Sequence, residues 1–419
     1  MEGQHMSIVF LGHVDAGKSS LCGTILVDTK RVDPRALSQV EREAEESAGK
    51  SWGRAFLFDT DPEERRRGKT IEVGREVFEW SGKRWTILDA PGHRNYVPNA
   101  IEGIVGADIC VLVISARKGE FEAGLSEEGQ TLEHLTLVKA FGVPRLVVFI
   151  NKMDSVGWDQ KRYNEIVRET KKRLVERGFT PINVAFVPGS GFSSENVSAK
   201  FENSWWEGQC LLDVLSSVSL ERKKSSETRF SVMSVQKEGG KYSVFGRVER
   251  GVVGKGSNFF LCPGEREVQI LSINTDFCQE VPFVEVGENA TLCISGVDEI
   301  RQGDFLCSSG SIIQKNSKLL CLVHVLGPSP LFCPGTECVM QLFFGKHECC
   351  VEKVLGVKQG EKFMKSLLVK KGNVGKVVIT TKDQILVEPF EKFPKLGRFV
   401  IRDRSKTLAI GKVVAVSKK

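Results

Sequence analysis

Five apolar runs punctuate the first half of the chain: SIVFLG (7–12), WTILDA (85–90), ICVLVIS (109–115), LVVFIN (146–151) and INVAFVPG (182–189). Each is apolar at consecutive positions rather than at alternate ones, the pattern of strands buried on both faces of a parallel sheet. Between them lie stretches with helical spacing, such as QKRYNEIVRETKKRLVER (160–177), which Gly178 ends. That alternation predicts a doubly wound α/β domain over residues 1–222. Past the polar linker ERKKSSET (221–228) the texture changes to short runs broken by glycine, as in YSVFGRVERGVVGKGSNFFLC, NATLCISGV and GKVVITT. Turn signals there recur about every ten residues, which predicts antiparallel β-barrels. A second polar break, SSGSIIQKNSK (308–318), divides this region, so one barrel is expected over 226–312 and another over 317–419.

Composition narrows the class. No apolar run approaches the ~20 residues that span a bilayer, and MEGQHMSIVFLG lacks the basic-then-apolar order of a signal peptide. Twelve cysteines occur singly apart from the pair Cys349–Cys350, with no CxxC and no metal-ligand spacing. They read as reduced, buried thiols of a cytoplasmic protein. The net charge of +6 is uneven: from Ser317 onward 19 Lys/Arg face 8 Asp/Glu, giving +11, so the first 316 residues carry −5. A basic C-terminal third suits RNA or an acidic protein surface, and equally a solvated face.

Chemistry enters at the strand ends. The first run leads into GHVDAGKSS (12–20), which fits G-x-x-x-x-G-K-[ST]. Gly12 and Gly17 let backbone N–H groups of Asp15, Ala16, Gly17 and Ser20 wrap phosphates at a helix N-terminus. Lys18 would reach the β/γ-phosphates and Ser19 would ligate Mg²⁺. After the next run comes DAPGH (89–93), where Asp89 would hold Mg²⁺ through water and the Gly92 N–H would sense a γ-phosphate. NKMD (151–154) follows another: the Asp154 carboxylate can accept both N–H donors of guanine, with Asn151 and Lys152 bracing the pocket. SGF (190–192) follows the last, where the Ser190 N–H could meet guanine O6 beside Gly191 and Phe192.

Singly, each motif is also an ordinary turn or loop. Four in this order, each on a strand end, predict a site for GTP or GDP with Mg²⁺. Thr70, in the charged loop RRRGKTIEVG (65–74), would ligate Mg²⁺ only while a γ-phosphate holds the loop closed. His93 is the candidate for orienting the attacking water, so His93, Thr70 and Lys18 form the expected catalytic set. The expected fold class is an α/β P-loop GTPase domain followed by two antiparallel β-barrels.

The motifs GHVDAGKSS, DAPGHRNYV, RKGEFEAGLSEEGQTLEHLTLVKAFGV and NKMD resemble those of translational GTPases of the elongation-factor Tu and one-alpha class. Aminoacyl-tRNA carriers of that class read RGITI at the switch, with an aliphatic residue before the threonine. This chain has RGKTIEVG, with Lys69 there. Together with ILDAPGH, ISARKGEFEAG and FPKLGRFVIRDRSKTLAIGKVV (393–414), that string is similar to the eukaryotic class-2 release factors.

The resemblance implies a GTP-dependent partner of a class-1 release factor, acting on the ribosome at stop codons and a monomer outside that complex. It implies docking through the second barrel, at Arg398, Phe399, Arg402 and Asp403 of GRFVIRD, although Phe399 and Ile401 also suit a barrel core. Lys69 would replace part of the apolar gate thought to shield the catalytic histidine, with Val14 on its other side. Relatives often carry a long N-terminal extension that binds poly(A)-binding protein; with the first predicted strand near Ser7, no such link is expected. A ribosome-rescue GTPase paired with a pelota-type factor and an aminoacyl-tRNA carrier are the rival partners' readings, and Lys69 argues against both.

Overall fold

A computed structural model of the chain describes residues 4–47, 53–58, 70–126, 129–202, 205–222, 225–238, 240–264, 266–327, 332–403 and 406–417. Lys69 lies outside the described residues. The chain divides into two compact units, Met1–Leu220 and Glu221–Lys419.

In the first unit the apolar runs become β1 (His5–Gly12), β3 (Lys83–Asp89), β4 (Ile109–Ser115), β5 (Arg145–Asn151) and β6 (Ala185–Pro188). They lie parallel, in the order β3-β1-β4-β5-β6. A further strand, β2 (Gly74–Trp80), pairs antiparallel with β3 at the edge. Its sequence GREVFEW is half polar because an edge strand needs little apolar cover, so no apolar run announces it. Phe78 and Trp85, directly opposite each other on β2 and β3, stack with ring centroids 6.1 Å apart.

Helices α1 (Lys18–Asp28), α2 (Pro34–Ser47), α3 (Val97–Gly106), α4 (Glu120–Leu125), α5 (Gln130–Phe141), α6 (Gln160–Glu176) and α7 (Leu211–Ser217) alternate with the strands. Both faces of the sheet are covered. Ile8 and Phe10 of β1 join a core with Leu21 and Ile25 of α1 and Leu211 and Leu215 of α7. Val9, pointing the other way, packs on Gly103 of α3. The 160–177 prediction is met by α6: Asp159 caps its start by accepting from the Lys161 N–H at 2.9 Å. Arg162, Ile166, Thr170 and Leu174, four residues apart, are its buried stripe. The run INVAFVPG yields only four strand residues, because Pro181–Asn183 makes a 3-10 turn and leaves Ile182 89% exposed.

The second unit holds two barrels. β7 (Arg229–Glu238), β8 (Lys241–Arg250), β10 (Asn258–Cys262), β11 (Arg266–Thr275), β13 (Asn289–Ser295) and β14 (Phe305–Cys307) close the first, with β9 (Val252–Gly254) and β12 (Phe283–Glu285) as a separate pair. The other barrel comprises β15 (Lys315–Val325), β16 (Glu337–Leu342), β17 (Gly345–Gln359), β19 (Val374–Leu386), β20 (Arg398–Asp403) and β21 (Lys406–Val416). The β16–β17 pairing closes it, and β18 (Lys362–Met364) hangs outside on β17. A short helix, α8 (Pro394–Gly397), precedes β20.

GRFVIRD is not the open surface that the resemblance implied. β20 is hydrogen-bonded on both sides, to β16 and β21, and Phe399, Val400 and Ile401 are fully buried. The Phe399 ring fills the space over Gly411, where a Cβ would come within 2.3 Å of it. Arg402 is 5% exposed, and its guanidinium donates to the Thr407 hydroxyl at 3.0 Å. Arg398 lies over the Phe390 ring at 5.0 Å, and burial pushes its pKa down. Of the four residues expected to dock a partner, only Asp403 is exposed. The cause is the segment before β20, which folds back onto the barrel: Phe390 N–H donates to Val413 O at 2.9 Å, and Gly397 sits against Phe390.

The two barrels meet through a buried charge cluster. Arg229, fully buried, donates through both terminal nitrogens to the buried Glu388 carboxylate, the longer bond being 3.3 Å. Lys392 also reaches Glu388, and the guanidinium groups of Arg229 and Arg250 lie 4.9 and 5.2 Å from the Phe393 ring centroid. Lys395 pairs with Glu249 across the same seam at 2.8 Å. Replacing Glu388 by Ala leaves a buried guanidinium without its carboxylate, and should destabilise the barrel unit by about 3–5 kcal/mol. Equilibrium denaturation should show this, with the double variant Arg229→Met/Glu388→Leu recovering much of the loss.

Candidate nucleotide-binding site

The strand ends of β1, β3 and β5 deliver the motif residues to one cleft of about 610 Å³, within the range of small-ligand pockets. After β1 the backbone turns through Asp15 (φ 63°) and Gly17 (φ 86°), and α1 begins at Lys18. At Gly17 a Cβ would stand 2.4 Å from the Asn151 amide nitrogen, so only glycine allows this approach. Asp15, Gly17, Lys18, Ser19 and Ser20 line the cleft, placing the N-terminus of α1 at its floor, where a helix favours anions. Ala16 is buried behind them.

At one end are the residues expected to read a phosphate. Lys18 Nζ donates to His13 O at 3.0 Å. A Cβ on Gly92 would fall 2.5 Å from Lys18 Nζ and 3.0 Å from Gly12 O, so the DAPGH backbone lies against the phosphate loop. Burial, and then the Lys18 charge, holds the His13 pKa below its usual value, so Lys18 keeps a neutral neighbour at neutral pH. Ser19 Oγ and Thr70 Oγ1 lie 3.1 Å apart although 51 residues separate them. Two oxygens at adjacent corners of a Mg²⁺ octahedron, with bonds of about 2.1 Å, stand about 3 Å apart. Hydroxyl oxygens at this spacing fit the hard-oxygen preference of Mg²⁺, and Asp89, the third oxygen donor expected from the sequence, is fully buried at the end of β3.

His93 lines the same end and caps the turn Arg94–Tyr96. Its Nδ1 accepts from the Asn95 N–H at 3.3 Å, which in a neutral ring leaves the hydrogen on Nε2. Tyr96 packs beside it, with ring centroids 5.7 Å apart.

Asn151, Lys152, Asp154 and Phe192 line the other end. The Asn151 amide donates to Ala16 O at 2.8 Å, and its carbonyl accepts from the Gly191 N–H at 2.8 Å. Asp154 is exposed, its carboxylate available to a ligand's N–H groups. The expectation for Ser190 needs correcting. Its N–H already donates to Glu195 O at 3.0 Å, its hydroxyl accepts from the Ser193 N–H, and it is fully buried. Ser190 shapes the loop, and so does Gly191, buried with its N–H on Asn151; of the three only Phe192 lines the cleft.

Three residues escaped the sequence reading. Glu120 accepts from Lys152 at 2.8 Å and from the Ser115 hydroxyl at 2.6 Å, with Arg117 at 3.6 Å. Burial alone would raise the Glu120 pKa, but these partners outweigh it and hold the carboxyl below its ordinary range. Glu120 and Arg117 both line the cleft, and only the fold brings them to Lys152. The third is Trp158. Its ring stacks on Phe201 at 4.2 Å, its indole N–H donates to Glu195 at 3.2 Å and its carbonyl accepts from Trp205 at 2.7 Å. Since Glu195 also holds the Ser190 N–H, Trp158 couples the 151–154 and 190–192 loops. An aromatic residue four positions after Asp154, with Trp205–Trp206 downstream, was the available signal.

The family model for the elongation factor Tu GTP-binding domain matches residues 3–234, and the GTP-eEF1A C-terminal domain-like model matches residues 319–414. The eukaryotic peptide chain release factor GTP-binding subunit of Dictyostelium discoideum is 39% identical over 433 residues, covering 99% of this chain and 77% of that protein. Its counterpart in Kluyveromyces lactis is 37% identical over 425 residues, covering 98% of this chain and 61% of that protein. The chain therefore spans about three fifths to three quarters of these relatives' length. The Ski7 GTPase-like domain of S. cerevisiae, bound to GTP, superposes with a TM-score of 0.83 at 16% identity, over 99% of this chain and 98% of that one. That is a likeness of fold.

Trp158→Leu removes the stack and the bond to Glu195. It should speed release of a fluorescent GDP analogue about tenfold, with the triphosphate analogue affected equally, because both share the base. Stopped-flow release rates check this.

Proposed function

Because the chain belongs to the eukaryotic peptide chain release factor GTP-binding subunits, within the elongation factor Tu class of GTPases, we propose that it is a termination GTPase of the cytoplasm. In its GTP form it carries a class-1 release factor to a ribosome stopped at a stop codon, and hydrolysis promotes peptide release. The observation that carries the nucleotide-switch reading is the 3.1 Å approach of Ser19 Oγ and Thr70 Oγ1 beside Gly92 and Lys18. The partner reading is supported by the relatives' identity over nearly the whole chain and by Lys69 in place of the carriers' aliphatic residue. Among the described residues no helix is long and apolar enough to cross a membrane.

The chain's own groups divide the work. Lys18 and the N-terminus of α1 neutralise the phosphates. Mg²⁺ held by Ser19 and Thr70, with Asp89 acting through water, would supply further positive charge to the phosphate oxygens. Thr70 and the Gly92 N–H report whether a γ-phosphate is present. His93, with its hydrogen on Nε2, offers a donor that orients and stabilises charge at the reacting centre. Asp154 selects guanine through its two N–H donors, and Asn151 keeps that end rigid.

Two experiments bear on this. The purified chain with a nonhydrolysable GTP analogue should bind class-1 release factor and leave aminoacyl-tRNA unprotected; protection of aminoacyl-tRNA, or binding only of a pelota-type factor, would replace the termination reading. His93→Ala should bind GTP normally yet lose about 100-fold or more of ribosome-stimulated hydrolysis, as expected for removing a positioned catalytic group. An unchanged turnover would remove His93 from the mechanism.

A further inference from the structure

The segment 53–58, which lies between α2 and Thr70 in the chain, packs on α1. At Gly23 of α1 a Cβ would stand 2.1 Å from Arg54 O, so the two backbones touch and leave no room for a side chain. Phe56 and Phe58 are buried, Phe58 within the core that α1 and β1 share. Ala55 lines the nucleotide cleft, as Thr70 does.

The loop 190–192 rests on the same helix. At Gly191 a Cβ would meet the Leu21 Cα at 3.1 Å. Thr24, fully buried on α1, joins the two segments. Its Oγ1 accepts from Arg54 Nη1 at 2.8 Å and lies within hydrogen-bond reach of two carbonyls, Ser20 O at 2.9 Å and Gly191 O.

That meeting is directional. A guanidinium N–H can only donate, so Thr24 accepts from it and has its single hydroxyl hydrogen left for a carbonyl. Ser20 O is already taken by the helix ladder, whereas Gly191 O has no other donor among the described residues. A charged donor on the hydroxyl strengthens the bond the hydroxyl makes in turn. From Gly191 the relay continues through its N–H to Asn151 and from the Asn151 amide to Ala16 O. Phe192, the next residue, lines the cleft.

The remainder of this loop is anchored without the 53–58 segment. Ser194 and Ser198 both donate to Asp28 at the far end of α1, the latter at 2.6 Å, and Glu195 is held by Trp158. Among these contacts, the one at Gly191 alone leads to residue 54. An arginine on a buried threonine can be packing alone. Packing, however, would be met by an apolar side chain at 54, without setting a charge against a hydroxyl whose partner is 167 positions away.

We propose that Arg54 is a positioning residue for the nucleotide: through Thr24 it holds the Gly191 carbonyl, and with it the guanine end of the cleft, only while residues 53–58 are docked. Resting on the nucleotide-switch reading above, that docking accompanies Thr70 in the triphosphate state and ends when the loop carrying both is released. The phosphate end decides and the base end responds, so the triphosphate leaves more slowly than its base contacts alone would allow.

The test is stopped-flow release of a fluorescent GDP and of a fluorescent nonhydrolysable GTP analogue from the full chain, for wild type, Arg54→Met, Thr24→Val and the double variant. Arg54→Met keeps the aliphatic stem and loses the donor. It should speed release of the triphosphate analogue about fivefold to tenfold and change GDP release by less than about twofold. Thr24→Val removes the bond to Gly191 itself and should speed release of both, and adding Arg54→Met to it should change neither rate further. Equal acceleration of both nucleotides by Arg54→Met would reduce Arg54 to a packing residue and overturn the proposal. An unchanged triphosphate rate would overturn it too, as would a full Arg54→Met effect persisting beside Thr24→Val. Should Thr24→Val not fold, the split between the two nucleotides for Arg54→Met alone decides the matter. A wild type that binds neither guanine nucleotide would overturn the nucleotide reading and this inference with it.

Discussion

Asn151 stands at the carboxyl end of β5, 2% exposed, with its amide on Ala16 O and its carbonyl on the Gly191 N–H, both at 2.8 Å. One buried side chain thus fixes the phosphate loop, its own NKMD loop and the 190–192 loop in a single geometry. The arrangement tolerates no variation at Gly17, whose missing Cβ makes room for the same amide. Losing either hydrogen bond would leave a buried backbone group without its partner, which costs about 1–3 kcal/mol. The tight turn at Gly17, the start of α1 and the position of Lys18 all descend from that contact.

The barrels face a different problem, since two closed cores must be held together; one contact is apolar, Phe305 of the first packing on Phe343 of the second with ring centroids 5.2 Å apart. The seam also holds Arg229, Glu388 and Lys392, with the Phe393 ring beside two guanidinium groups. A buried ion pair of this kind adds little net stability over an apolar substitute, because desolvation offsets most of the attraction. What it contributes is register: a bidentate arginine accepts one orientation of its carboxylate, whereas greasy surfaces slide.

Much of this was legible in the chain because parallel strands buried on both faces are apolar throughout, and ligand motifs follow their carboxyl ends. What escaped has physical reasons. The edge strand β2 is too polar to stand out, and Pro181 turns half of an apparent strand into a 3-10 turn. GRFVIRD alternates like a half-exposed strand, yet its polar members Arg398 and Arg402 are covered by a ring and by Thr407, contacts that local pattern does not encode. Glu120 and Trp158 act through residues 32 and 37 positions away, Lys152 and Glu195 respectively.

The two ends of the cleft are built differently, and the difference bears on switching. At the base end the contacts are buried hydrogen bonds and stacked rings within the chain. GDP and GTP share the same base, and a contact common to both states cannot shift an equilibrium between them. Discrimination must come from the phosphate end, where two half-buried hydroxyls from distant parts of the chain approach each other and Gly92 lies against Lys18. A rigid base end then has a use beyond affinity. On the function proposed above, it holds the nucleotide still, so that the presence or absence of a single phosphoryl group is felt at Thr70 and Gly92 rather than absorbed by movement of the ligand.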